Sequence, residues 1–140
     1  MSGCIFCAVS AGRAERSLVC EDETSVAVMD ISPVNPGHVL VIPKEHVAGL
    51  EDLTEDTGSH LFAIAMRVSR ALRQSPIRSE GINISLADGE AAGQEVFHVH
   101  LHVLPRFAGD PLRIERAGGW TTAPRGELDR VASQIREALP

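Results

Sequence analysis

The chain has no uninterrupted apolar run near the roughly 18 residues that a membrane-crossing helix needs. Its first residues, MSGCIFCAVSAGRAER, lack both a basic start and an apolar stretch long enough for export. There is no excess of positive charge: 13 Lys and Arg stand against 19 Asp and Glu, a net charge of −6. Neutralising the phosphates of a duplex needs a basic surface, so the balance argues against a nonspecific nucleic-acid binder. It leaves room for a small phosphorylated ligand held by a few local groups. No internal repeat, low-complexity tract or linker breaks the 140 residues, which fit one domain spanning 1–140. With 44% hydrophobic and 23% charged residues the composition is globular, and the missing export signal and membrane span lead to the expectation of a cytoplasmic protein with no membrane partner. Only three cysteines occur, an odd number, and two of them, Cys4 and Cys7, form a CxxC pair. In a reducing compartment that spacing points to metal or redox chemistry before a structural disulfide.

Thr24 to Asp30 (TSVAVMD) alternates apolar and small residues and predicts a strand. Ile31 to Gly37 (ISPVNPG) predicts a turn, and His38 to Pro43 (HVLVIP) the next strand. Thr54 is a suitable N-cap, and Leu61, Ile64, Ala65, Val68, Ala71 and Leu72 fall at helical spacing, which predicts an amphipathic helix over 55–74. Gly81 to Leu86 predicts a strand, 87–94 a glycine-containing loop, and 95–104 another strand. Leu128, Val131, Ile135 and Leu139 mark a C-terminal helix. The pattern predicts an α+β fold: an antiparallel β-sheet with a long central helix and a C-terminal helix.

Half of the six histidines sit at alternate positions of one segment, EVFHVHLHVLPR (95–106). On a strand His98, His100 and His102 would share one face and Val99, Leu101 and Val103 the other. A solvated sheet face is one reading, although such faces usually carry Lys, Glu and Thr. A metal held by all three is disfavoured by reach, because positions i and i+4 of a strand lie roughly 13 Å apart while Zn–N bonds are about 2 Å. A third reading is nucleophilic catalysis, in which a neutral imidazole attacks phosphorus and its neighbours donate to the phosphate oxygens. The preceding loop suits that reading, since Gly89 and Gly93 let backbone N–H groups approach an anion.

On HVHLHVL (98–104), AAGQEVFHVHLHVLPR (91–106), MDISPVNPGHVLVIPKEH (29–46) and CIFC (4–7), the chain resembles the histidine triad (HIT) family of nucleotide hydrolases and transferases, bacterial type. The resemblance covers about 5–106 in order and implies the following. His100 is the nucleophile at the α-phosphate of a purine nucleotide, and His102 and His38 contact phosphate oxygens. Asp30 accepts from the ribose hydroxyls, and Ile5, Phe6 and Ile31 form the base slot, where plain core packing is the alternative. Gly93 and Gln94 position the phosphate through the loop backbone. Cys4, Cys7, His46 and His98 hold a structural zinc that ties the N-terminus to the sheet and leaves no open coordination position. A homodimer with sheets joined across the interface is also implied.

Two positions depart from the family pattern. Ala87 stands where Asn or Gln is common, with Asp88 as a neighbour that could shift into the role. Glu95 stands where Ser or Thr helps protonate the leaving group. It could serve as an acid if burial raised its pKa, or it could repel a polyphosphate. Two substrate types stay open, an adenosine phosphoramidate and a dinucleoside polyphosphate, beside a nucleotidyltransferase or phosphorylase and a non-catalytic nucleotide-binding protein. Arg106 and Lys44 read first as solvated charges and second as contacts to extra phosphates. Cys20 and His60 carry no assigned role, and the segment around Trp120 matches too little to name contacts.

Overall fold

The computed structural model describes residues 3–115, 118–119 and 121–140; Trp120 lies outside them. Five strands form one sheet: β1 (Leu18–Glu21), β2 (Ser25–Met29), β3 (Val39–Pro43), β4 (Gly81–Ser85) and β5 (Leu101–Arg106). They lie in the order β1-β2-β3-β5-β4, every neighbouring pair antiparallel. Three α-helices accompany them: α1 (Ile5–Ser10), α2 (Glu55–Gln74) and α3 (Arg125–Ala138). The α+β expectation is met. No helix of the described residues is long and apolar enough to cross a membrane.

The sheet is covered on both faces because β2 and β3 are apolar apart from Ser25, and alternate residues serve alternate faces. Ala27, Val39, Val41, Leu101 and Val103 pack with Leu61, Ile64, Ala65, Val68 and Leu72 of α2. Val26, Val28, Leu40 and Ile42 pack on the opposite face with Val9 and Phe6 of α1. α2 occupies the predicted 55–74. Thr54 Oγ1 accepts from Thr57 N–H, Glu55 and Asp56 sit in the first turn, and Arg73 sits in the last, each suited to the helix dipole. α3 forms where the apolar spacing placed it, but none of its residues is buried.

Three features differ from the expectation. α1 and β1 had no strong signal: α1 is six residues, and β1 is a short, wholly exposed edge strand with a register shift between Leu18 and Cys20. The strand predicted over 95–104 enters the ladder only at Leu101. The pairing Val41↔Leu101 would next bring Val99 opposite Pro43, which has no N–H to donate. The Pro43 carbonyl is taken instead by His98 Nε2 at 2.7 Å, and Val99 N–H turns to Val47 O at 2.8 Å. Side-chain alternation survives the loss of the ladder, and Val99, Leu101 and Val103 still enter the core under α2.

The β2–β3 turn is fixed against the far end of the sheet. Gly37 has φ +95, and a Cβ there would come within 3.0–3.1 Å of Ile77, Leu72 and Pro105, so only glycine fits. Replacing Leu61, 2% exposed at the centre of the α2 interface, by Ala is expected to cost about 2–5 kcal/mol of unfolding free energy. Urea denaturation would read this as a lower midpoint at unchanged slope.

Candidate active site

His98, His100 and His102 emerge from one side of the segment entering β5, and each ring is held by a named partner. A neutral imidazole carries its proton on one nitrogen only, so a bond at one nitrogen decides the state of the other. His98 Nε2 lies 2.7 Å from Pro43 O, which can only accept; Nε2 therefore bears the proton and Nδ1 is bare. His100 Nδ1 lies 2.8 Å from His98 O, so Nδ1 bears the proton and the Nε2 lone pair is free. Val34 N–H donates to His38 Nδ1 at 3.2 Å, so that nitrogen is bare and His38 Nε2 bears the proton. His38 Nε2–H then donates to His102 Nδ1 at 2.8 Å, which leaves His102 with its proton on Nε2.

These settings hold in the neutral state, which burial favours for His38, His98 and His102. His102 is pushed down to about 4, mainly by burial and then by His100 and His38, with Asp30 opposing. His38 is also lowered by burial, again against Asp30. Asp30 sits at the end of β2, where its Oδ1 accepts from Ser32 N–H at 2.8 Å and its Oδ2 is 3.5 Å from His38 Nε2. Phe6 of α1 stands edge-on to the His100 ring, with centroids 4.8 Å apart.

The other expected contacts are spread around this row. Ile31 is 94% exposed and Ile5 51%, so neither is core, while Phe6 is partly buried. Gly93, with φ 89, and Gln94 close the loop before the triad, but their N–H groups are donated to Glu90 O and Gly89 O. The Gln94 side chain is buried, accepting from Gly89 N–H and donating to Ala48 O and Val96 O; it staples the loop. Glu95 is exposed at the rim of a cavity of about 410 Å³ shared with Cys4, Ile5, His46 and Phe97. Ala87 lines a second cavity of about 340 Å³ with Val34, His38, Leu86 and His102. Asp88 does not replace the missing amide, because its Oδ1 accepts from Leu50 N–H at 3.2 Å.

Neither cation expected to be solvated is free. Lys44 Nζ is 3.0 Å from Glu21, and Arg106 grips Asp110 through Nε and Nη2 at 2.7 and 2.8 Å. Sequence reading also missed that the nearly fully buried Asp110 takes a hydrogen bond from Asn35 Nδ2 at 2.9 Å, and that His60 pairs with Asp22 at 2.7 Å. Asn35 had read only as a turn former, and the Val34 donor is a main-chain group with no sequence signal.

Among the described residues two groups bring three or more ligand-type atoms within 4.8 Å of one another. Cys4, Cys7, His46 and His98 form the first. Metal bonds of about 2.0–2.3 Å at tetrahedral angles place neighbouring ligand atoms about 3.3–3.8 Å apart. Here Cys4 Sγ–His98 Nδ1 is 3.4 Å, Cys7 Sγ–His46 Nδ1 3.3 Å, Cys7 Sγ–His98 Nδ1 3.6 Å and His46 Nδ1–His98 Nδ1 3.2 Å. The carbonyl behind His98 leaves the facing nitrogen bare, as a metal ligand requires. Asp30, His38 and His102 form the second group. There the order is reversed: Val34 N–H keeps the proton of His38 on the nitrogen that faces its neighbours, so this group is a hydrogen-bonded chain rather than a ligand set.

A HIT domain family model matches residues 11–109. An uncharacterised HIT-like protein of Mycobacterium tuberculosis is 40% identical over 138 residues, 97% of this chain and 92% of its own length. A zinc-bound histidine triad family protein of Mycobacterium smegmatis superposes with a TM-score of 0.77 at 39% identity, covering 98% of each chain. A bis(5'-adenosyl)-triphosphatase of Dictyostelium discoideum is 42% identical over 84 residues, 60% of this chain and 56% of its own.

A histidine whose value is about 4 when folded and about 6.5 when unfolded contributes stability that is complete above about pH 6.5 and lost as pH falls toward 4. Asp22, held at about 2, titrates below that window. In thermal melts across pH 6.5–4, His102→Gln is therefore expected to flatten the decline seen in the wild type. The difference is about 1–2 kcal/mol, discounted for the partial exposure of the ring.

Proposed function

The chain belongs to the histidine triad family, and we propose that it is a nucleotide hydrolase that works through a covalent nucleotidyl-histidine on His100. The observation that carries this reading is the bond from His100 Nδ1–H to the His98 carbonyl at 2.8 Å, which leaves the Nε2 lone pair as a nucleophile. That nitrogen attacks the α-phosphorus. An N–P bond forms, the bond to the leaving group breaks, and the leaving group departs with the bonding pair and takes a proton from solvent. Water then attacks phosphorus, loses a proton to solvent, and the N–P bond breaks, releasing the nucleoside monophosphate and restoring His100. The His102 Nε2–H faces charge that grows on the phosphate oxygens during both steps. Asp30 is suited to the ribose hydroxyls. Exposed Ile5 and Ile31, with Phe6 beside His100, supply apolar surface for a purine. On this reading Gly93 and Gln94 position the phosphate, and the Gln94 side chain supports that by stapling the loop.

For the leaving group, an adenosine phosphoramidate fits better than a longer phosphate chain. Lys44 and Arg106 are already paired with carboxylates, and Glu95 adds negative charge at the rim. The dinucleoside polyphosphate reading draws on the likeness to the Dictyostelium triphosphatase. Offering both substrates to the wild type and to His100→Ala tests the reading. AMP release by the wild type, with a loss of at least about 10³-fold in the variant, is expected. Equal release by both would sink the covalent route, and nucleotide binding with no release by either would mark a binding module.

Cys4, Cys7, His46 and His98 are the ligands for a structural zinc, supported by the tetrahedral spacing and by the zinc-bound Mycobacterium smegmatis relative. Bound there, zinc supplies a crosslink from α1 to the segment after β3 and to the triad strand. Its thiols must stay reduced, which agrees with a cytoplasmic location. The open edge at β4, together with exposed Phe62 and Met66 on α2, suits a homodimer. Elemental analysis is expected to find about one zinc per chain, absent from Cys7→Ser, with a melting temperature that falls on chelation in the wild type only.

A further inference from the structure

The second cavity holds a chain of donors that begins outside any ionisable side chain. Val34 N–H donates to His38 Nδ1 at 3.2 Å, and His38 Nε2–H donates to His102 Nδ1 at 2.8 Å. Val34 is itself held by its neighbour. Asn35, 3% exposed, donates through Nδ2 to Pro105 O and to Asp110 Oδ2, both at 2.9 Å, while its own carbonyl accepts from His38 N–H at 3.2 Å. Asp110, 2% exposed, is gripped in turn by Arg106 and by Phe107 N–H. The turn is thus bolted to the end of β5 by a buried carboxylate and a buried amide, with the partly exposed Arg106 guanidinium closing the clasp.

We infer that the Val34 N–H and the Asn35–Asp110–Arg106 clasp are positioning groups that fix the tautomers of His38 and His102, and that His38 acts on phosphate through His102 rather than by direct contact. The inference rests on the reading of His102 as a phosphate contact and deepens it. A phosphate oxygen can be bound by a neutral imidazole only through its N–H; the opposite tautomer presents a lone pair and repels it. In water the two tautomers of histidine interchange freely. Here a main-chain donor that cannot lose its proton excludes one of them at His38, and the bond to His102 passes the choice on. The His38 proton is already donated to His102, which leaves Asp30 Oδ2 as a longer neighbour at 3.5 Å. This assignment also explains why the Asp30–His38–His102 group would not take a metal ion: binding would have to expel the proton that Val34 keeps in place.

Long-range ¹H–¹⁵N spectra of histidine-labelled, zinc-loaded protein at neutral pH read each tautomer directly and need no substrate. His38 and His102 are expected with bare Nδ1 and protonated Nε2, and His100 with the reverse. A protonated Nδ1 on either His38 or His102 would overturn the inference. Val34→Pro removes the donor, along with the valine side chain at the cavity wall, which Val34→Ala controls for, and Asn35→Ala loosens the clasp. In Val34→Pro and Asn35→Ala, where folded, the His38 and His102 signals are expected to shift toward a tautomer mixture while His100 keeps its state. With an adenosine phosphoramidate, kcat is expected to fall about 10-fold, with KM changed less. Wild-type tautomers retained in both variants would refute the role of the clasp and donor. Should neither variant fold, the wild-type spectrum decides the tautomer assignment alone. Correct tautomers without turnover would count against the hydrolase reading only, and turnover with the wrong tautomers against this inference only.

Discussion

The bond from the His98 ring to the Pro43 carbonyl is where the sheet, the ligand cluster and the histidine row meet. It fills a carbonyl that the ladder leaves open, since Val99 N–H turns to Val47 O, just before β5 pairing begins at Leu101. The same bond puts the His98 proton on Nε2 and turns the bare Nδ1 toward Cys4, Cys7 and His46. With the ring so fixed, the His98 carbonyl is free to take the proton of His100. A structural accommodation at the end of a strand therefore sets the chemical state of two side chains.

Much of this was legible beforehand for a physical reason. Period-two alternation along 98–104 demands that the apolar partners enter the core, so Val99, Leu101 and Val103 lie under α2 whether or not the ladder continues. α2 was readable because twenty residues of helical spacing, a threonine cap and acidic first-turn residues all agree. α1 was not, since six residues give too few turns for a periodic signal and the helix takes its place from packing on Val26, Val28, Leu40 and Ile42. β1 is exposed throughout and carries no alternation to read.

At the site the division is sharper. Histidines, cysteines and Asp30 can be found by residue type, and the structure brings His38 beside His102 and Cys4 and Cys7 beside His46 and His98. What a charged residue does at a distance was not readable. Arg106, Lys44 and Asp88 each had a free role on paper, yet Arg106 is committed to Asp110 one short loop away, and Lys44 and Asp88 to partners 23 and 38 positions away in sequence. Nor could sequence show which nitrogen of each imidazole bears the proton, because the deciding groups are carbonyls and an amide of the main chain.

That last point divides the site into two parts with different freedom to change. The carbonyls of Pro43 and His98 and the amide of Val34 belong to the backbone, which is the same whatever side chain a codon specifies; only proline at 34 would erase that amide. The surroundings, by contrast, are made of side chains: Glu95 at the first cavity, Ala87 at the second, and Ile31 beyond both, all partly or largely open to solvent. Point mutation can redraw the outline that meets a new leaving group while the proton settings of the histidines pass unaltered. A lineage built on this scaffold can drift in what it accepts without relearning how to react.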